Sequence, residues 1–396
     1  MRTELLAPAG DLDRLKTAVI YGADAVYFGG KQFSLRARAS NFSLDDIKEA
    51  VEFAHSYGKR VYVTVNIIPH NSDFNGLEEY LRKLEEFNVD AIICASQAIC
   101  DLCKRVAPKL EVHISTQQTT LNSYAMSYWT SKKVDRIVLG REVTYEELQE
   151  IMQVAKIPVE VFIHGGMCAN FSGRCTISNV LTNRDANRGG CAQSCRWNYH
   201  LYHGDDLLDK DEYLFSLGSK DMSTPDYIER LLKVNVASLK IEGRMKTAYY
   251  IASILKGYRL LIDSYYENGK VSEEDLKKAD YYLSLAANRD TFNGFYPGVP
   301  DENGQLYNFI TTASQSFIAN VKSYDAETSE AIIEVRNHFE VNDELVIMNP
   351  NGDDVRFTVK EMFDEKNEPV EVANKPMQLL RIKVPVAVNE YTFIHK

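Results

Sequence analysis

Through the first 240 residues, short and nearly unbroken apolar runs alternate with segments whose apolar positions recur at helical spacing. The apolar runs fall at 4–7, 25–28, 60–66, 91–95, 111–116, 136–139, 159–164 and 237–241. The helix-period segments fall at 11–21, 44–57, 76–87, 96–106 and 144–154, and Ser43 with Asp46 three residues on predicts a helix start there. Strands that are apolar on both faces and separated by helices belong to parallel sheets. Eight such units predict a closed (β/α)8 TIM-like barrel in preference to an open doubly wound sheet.

The spacing breaks once. Seven strands are complete by residue 164 and the eighth starts at 237, leaving a Cys-rich insertion, 165–235, after strand 7. Loops that follow barrel strands emerge at the C-terminal face, where active sites sit. The insertion is therefore expected to roof the barrel mouth. Two amphipathic helices, 247–268 and 272–287, follow the eighth strand, the second opened by Ser272 and three acids. From 315 the pattern alternates with period two, at 317–321, 331–335, 344–348, 355–359 and 379–384, and Asn351-Gly352 signals a hairpin. The expected organisation is a barrel domain at 1–290, a turn-rich linker at 291–314, and a small C-terminal β-barrel domain of five or six strands at 315–396.

Composition narrows the class. Apolar residues make up 45% and charged residues 26% of 396, as in ordinary globular proteins. The apolar runs are far shorter than the ~20 residues of a membrane helix, and the first residues lack the pattern of a signal peptide. A cytoplasmic protein without a membrane segment is expected. The net charge of −11 argues against bulk attraction to nucleic acid. The charge is uneven, however: 301–396 holds 17 acidic and 9 basic residues, whereas 165–200 holds Arg174, Arg184, Arg188 and Arg196 against the single acid Asp185. An anionic partner is expected at the insertion.

Seven cysteines are too few for a disulfide framework in a chain this long. Cys94, Cys100 and Cys103 fall on a predicted strand and helix and read as small core residues. Cys168, Cys175, Cys191 and Cys195 share one glycine-rich stretch, and reduced thiols clustered in this way suggest metal or redox chemistry. Their irregular spacing favours an iron–sulfur cluster, with zinc as the runner-up and unliganded thiols third.

At the C-terminal ends of the strands lie Asn66, Ser115, Thr116, Gln117, Arg141, Glu142, His164, Glu242 and Arg244, joined by Arg36 and Arg38 after the second strand. His164 and Glu242 are the candidate catalytic groups. Arg36, Arg38, Asn66, Gln117, Arg141 and Arg244 are the candidate substrate-binding groups, because arginine forks suit carboxylates and phosphates. For each of them a salt bridge within the rim is the alternative. Phe171, Trp197 and Tyr199 flank the cysteines and either stack bases or shield a metal group.

The segment Glu160-Val-Phe-Ile-His-Gly-Gly-Met-Cys-Ala-Asn-Phe-Ser-Gly-Arg-Cys-Thr-Ile-Ser178 resembles the signature of the peptidase U32 family. Leu6-Ala-Pro-Ala-Gly-Asp11, Ala25-Val-Tyr-Phe-Gly-Gly30, Ser115-Thr-Gln117 and Ile241-Glu-Gly-Arg-Met-Lys246 resemble its other blocks, so the likeness covers essentially the whole chain. Despite the name, the better-understood members resemble oxygen-independent hydroxylases. Some form 5-hydroxyuridine at the tRNA wobble position using prephenate; others act on ribosomal RNA or ubiquinone precursors. The resemblance implies a [4Fe–4S] cluster on Cys168, Cys175, Cys191 and Cys195, prephenate as co-substrate, the tRNA anticodon loop as partner and a paired U32-family paralogue. It also leaves two other readings. One is a collagenase-like peptidase, for which neither His-Glu-x-x-His nor Gly-x-Ser-x-Gly is present. The other is a non-catalytic partner in a hydroxylase pair.

Overall fold

The structure is a computed structural model that describes residues 2–35, 40–208, 215–287, 289–301, 304, 316–350 and 352–396. Eight parallel strands form the barrel: β1 (Glu4–Pro8), β2 (Ala25–Gly29), β3 (Arg60–Val65), β4 (Ala91–Cys94), β5 (Glu111–Ile114), β6 (Arg136–Val138), β7 (Val159–Gly166) and β8 (Ser238–Ile241). β8 pairs in parallel with both β1 and β7, which closes the cylinder. All eight strands lie where the apolar runs predict them. The helices between them bury their apolar faces against the strands in one continuous core. Ser43 caps its helix (Leu44–Ser56) in a reciprocal box with Asp46. Helices Ser123–Ser131 and Ile228–Lys233 were not predicted; the first mixes tyrosines and serines on every face.

The barrel interior is charged toward its N-terminal end. Glu4 accepts from the Tyr62 hydroxyl at 2.6 Å and from Arg136 at 2.6 Å. Arg136 also reaches Glu160 at 3.0 Å, and Glu160 takes the Lys240 ammonium at 2.8 Å. Burial pushes the Glu160 carboxyl up, but Lys240 and Arg136 outweigh it and hold it at about 2.

Helices Ala248–Asn268 and Glu273–Leu285 follow β8, capped by Thr247 and Ser272 as the sequence suggests. The C-terminal unit is one antiparallel sheet of seven strands: β9 (Phe317–Asp325), β10 (Glu330–Val335), β11 (Glu344–Met348), β12 (Val355–Thr358), β13 (Met362–Phe363), β14 (Leu379–Lys383) and β15 (Phe393–His395). Their order is β12-β11-β15-β9-β10-β14-β13, wrapped around a core of its own. The five predicted runs are all present. β13 and β15 are too short for periodicity to show, and among the described residues no ladder joins β12 to β13. Asn351, of the expected hairpin, lies outside the described residues. The unit docks on the barrel helices: the Tyr249 ring stacks on Phe317 at 4.4 Å, and the Tyr21 hydroxyl meets the Tyr391 carbonyl at 2.9 Å. Among the described residues no helix is long and apolar enough to cross a membrane.

Candidate functional site

The insertion covers the mouth as expected and is tied to three rim loops. Glu142, after β6, accepts from the Ser172 backbone N–H at 2.7 Å. Thr119, after β5, donates to the Ser172 carbonyl at 2.5 Å. Arg188 forms an ion pair with Asp73, after β3, at 2.6 Å. Gly173, at φ +76°, lies so close to the loop after β5 that a Cβ there would stand 1.9 Å from the Gln117 carbonyl oxygen. Only glycine permits this approach. The insertion also contains a strand, Asp221–Ser223, that pairs antiparallel with the end of β7 and in parallel with Thr291–Phe292. The expected linker thus begins inside the sheet.

This frame gathers the four clustered cysteines, all of them unbridged thiols. Cys168, Cys191 and Cys195 line a cavity of about 160 Å³ together with Asp221, Glu242, Lys246, Arg196 and Arg289. Burial pushes the Cys195 thiol up. Arg196 opposes that, and Cys168, Cys191 and Cys175 each add to it, so all four sulfurs act on one another. Cys175 is steadied by the Asn170 side-chain amide at 3.5 Å from its sulfur. Asp221 organises the cations, holding Arg196 and Arg289 at 3.4 Å each and Lys246 at 3.8 Å. Cationic surroundings favour thiolate over thiol. These cysteines have the chemistry to hold a soft metal group. Among the described residues, no three Cys, His, Asp or Glu side chains form a set that holds a single metal ion.

A second cavity, of about 80 Å³, occupies the barrel mouth itself. Asn66, Gln117, Arg141, Glu242 and Arg244 line it, so five of the predicted site residues converge. Cys168 and Glu242 belong to both cavities and form their common wall. Glu242 Oε2 accepts from the Gly166 backbone N–H at 3.3 Å. The arginines differ in what they do. Arg244 donates to Ser34 at 3.0 Å, Thr64 at 3.2 Å and Asn41 at 2.7 Å, and Asn66 accepts from the Leu35 backbone at 3.1 Å. These two residues hold the loop after β2 against the rim. Arg141 instead lies 3.7 Å over the Phe162 ring. Arg36 and Arg38 lie outside the described residues.

His164, expected at the mouth, is turned away from it. The ladder slips by one residue between Lys240 and Ile241, so that Phe162 pairs with Lys240 but His164 pairs with Ile241. A one-residue slip moves a side chain to the other face of the sheet. The imidazole packs edge-on against Tyr258 with Nδ1 3.2 Å from the phenol oxygen. Tyr258 donates to the Ile163 carbonyl at 2.9 Å, which leaves His164 Nδ1 as the donor between them. Burial, with Lys246 adding to it, draws the imidazole down to about 3. His164 lines a different cavity, of about 170 Å³, with Tyr250, Lys246 and Asp280.

Lys240, Asp221, Lys246 and Arg289 also line these cavities and were not among the predicted site residues. Lys240 had a signal: a lone charge in a strand of apolar neighbours, facing a second such charge at Glu160. The other three come together from separate segments and share no spacing. Phe171 and Trp197 are exposed on the roof.

Comparison with known proteins fits this arrangement. The tRNA hydroxylation protein P1 of Bacillus subtilis (strain 168) is 41% identical over 97% of this chain and 92% of its own length. The 23S rRNA 5-hydroxycytidine C2501 synthase of Escherichia coli (strain K12) is 37% identical over 67% of this chain and 40% of its own. A collagenase of Porphyromonas gingivalis (strain ATCC BAA-308 / W83) is 29% identical over 97% and 94%. Residues 10–306 match peptidase family U32 and residues 313–394 match the peptidase family U32 C-terminal domain. By these matches, over barrel and C-terminal sheet alike, the chain belongs to peptidase family U32.

Proposed function

We propose that this chain is an RNA-modifying enzyme that hydroxylates the wobble uridine of tRNA at C5, without oxygen, using prephenate and a [4Fe–4S] cluster. The observation that carries the reading is the shared wall. Cys168 and Glu242 separate a cavity ringed by thiols and cations from a polar chamber at the barrel mouth. Redox chemistry on one side is thereby placed against a substrate chamber on the other. Relatives named for tRNA hydroxylation and for 5-hydroxycytidine synthesis in rRNA support RNA as the substrate class. The reaction would take place in the cytoplasm, on the anticodon loop.

Cys168, Cys175, Cys191 and Cys195 would hold the cluster, and a cavity of about 160 Å³ among them suits a polynuclear group better than a single zinc ion. A [4Fe–4S] cluster so bound supplies one-electron transfer. Arg196, Lys246 and Arg289 offset the negative charge of four thiolates. Replacing a ring hydrogen by hydroxyl removes two electrons from the base, and prephenate is the co-substrate that meets this demand in our reading. Of the two expected acid–base groups, only Glu242 reaches the chamber, where its carboxylate is placed to take a proton. His164 is neutral, bonded to Tyr258, and serves packing. Phe171 and Trp197 stand on the roof where a splayed loop would meet the protein, beside the arginines of the insertion.

Mass spectrometry of tRNA nucleosides from a strain lacking this chain tests the proposal. We expect 5-hydroxyuridine and its derivatives to vanish, to return with the wild-type gene, and not to return with Cys191→Ser. Undiminished 5-hydroxyuridine in the deletion strain overturns the reading. The name of the Porphyromonas relative favours a second reading, peptidolysis. Gelatin cleavage by the purified chain, abolished by one substitution, would establish it. If the nucleoside is lost on deletion but the purified chain never restores it alone, the role is that of a partner to a paralogue.

A further inference from the structure

The floor of the barrel mouth contains a cation whose hydrogen-bonding capacity the protein leaves unused. The Arg141 guanidinium lies flat on the Phe162 ring at 3.7 Å. Among the described residues it takes part in no hydrogen bond and no ion pair. Arg244, on the same cavity, is engaged with Ser34, Thr64 and Asn41. Stacking on a ring fixes the plane of the guanidinium without using any of its five N–H groups. Lys240 stands 5.5 Å from the same Phe162 ring and 4.3 Å from that of Tyr27, with Glu160 as its counter-ion. The positive charge of Lys240 is therefore matched, whereas that of Arg141 is not.

The rest of the lining sets the size and character of a ligand. Tyr27, Ile93 and Phe162 are buried and, with Leu35, give the cavity apolar walls. Gln117 and Asn66 supply amides at the rim. An oriented, unpaired fork above apolar walls suits a carboxylate on a hydrocarbon body. A phosphodiester within a polynucleotide cannot bring both flanking sugars to so enclosed a floor.

We propose that the mouth floor is a binding subsite for a compact organic acid, in which Arg141 takes the carboxylate in bidentate fashion and Tyr27, Leu35, Ile93 and Phe162 enclose the hydrocarbon part. The ligand class follows from the geometry alone; only its part in hydroxylation rests on the reading above. The subsite separates the arginines of the mouth into one that binds and one, Arg244, that holds the loop after β2.

Benzoate and its neutral isostere benzamide are suitable probes, titrated into the purified full-length chain by calorimetry or ligand-observed NMR. We expect benzoate to bind at least about tenfold more tightly than benzamide. Arg141→Gln should abolish that preference, and Arg141→Lys, which keeps the charge but loses the fork, should restore part of it. Arg356→Gln, at an exposed position on the C-terminal sheet, should leave it intact. A melting curve for each variant confirms folding. Equal binding of the two probes, no binding of either, or an unaltered preference in Arg141→Gln overturns the subsite. Its failure is distinct from failure of the functional reading. Benzoate selectivity that depends on Arg141 in a protein whose deletion leaves tRNA unchanged keeps the subsite and removes the RNA reaction; the opposite pair of results does the reverse.

Discussion

One carboxylate oxygen of Glu142 accepts two hydrogen bonds from Ser172, from its backbone N–H at 2.7 Å and from its hydroxyl at 3.1 Å. The loop after β6 thus grips the roof at a point four residues beyond Cys168. Glu142→Ala should remove both bonds and loosen the roof locally by about 2 kcal/mol. Hydrogen exchange at residues 168–176 should quicken while the denaturation midpoint of the whole chain scarcely moves. Unchanged exchange there would show that the grip is idle.

Gly173 provides a stiffer test of the same seating. Alanine there meets the Gln117 carbonyl oxygen at 1.9 Å and keeps an unfavourable φ of +76°. Backbone cannot swing aside as a side chain can. Gly173→Ala should therefore displace the roof more than Glu142→Ala does, with strain of about 1–3 kcal/mol. A roof whose exchange is no faster than that of wild type would contradict the contact.

The four clustered thiols should behave differently from the other three. Anaerobic reconstitution with iron and sulfide should give a brown protein with broad visible absorption, and a chelator should bleach it. Cys168→Ser, Cys191→Ser or Cys195→Ser should lose most of the iron. Cys100→Ala should keep it, because Cys94, Cys100 and Cys103 are buried in the core and burial pushes their thiols up. A chain that stays colourless and iron-free after reconstitution rules out the cluster.

His164 gives the fold a dependence on acid. Its folded pKa of about 3 lies below the ~6.5 of an unfolded histidine, so only the unfolded chain gains a proton as pH falls between those values. The contribution is complete above about 6.5 and is lost progressively toward 3. Between pH 7 and pH 5 it amounts to about 2 kcal/mol. His113 and His395 are also drawn down by burial, so the informative quantity is a difference. His164→Gln should reduce the pH 7 to pH 5 loss in urea denaturation by about that amount. Equal losses in the two proteins would mean that the imidazole is not held neutral.

The barrel was legible because its strands are apolar on both faces, and the roof because four cysteines interrupt the strand spacing. Helix Ser123–Ser131 was hidden, since Tyr124, Tyr128 and several serines give it no apolar stripe. β15 was hidden by its length of three residues. Within the site, Arg141, Asn66, Gln117, Glu242 and Arg244 could be placed from strand ends alone. The direction of His164 could not, because one irregular step in the β7–β8 ladder decides it. Asp221, Lys246 and Arg289 meet only through tertiary folding, so no local pattern marks them. Strand ends and cysteine spacing are one-dimensional signals, whereas a bulge and a three-cation cluster are not.

The pairing of β1 with β8 also governs the sequence of assembly. Leu5 finds its ladder neighbour Leu239 only after every other strand and the whole roof have left the ribosome. Until then the N-terminal strand presents an unpaired edge, a contact of very long range that slows folding and invites sticking to other chains. The thiols therefore exist before the wall beside them is finished, since β8 and Glu242 arrive last. A half-made chain is an open trough, into which iron and sulfide have a side entrance that the finished cylinder no longer offers.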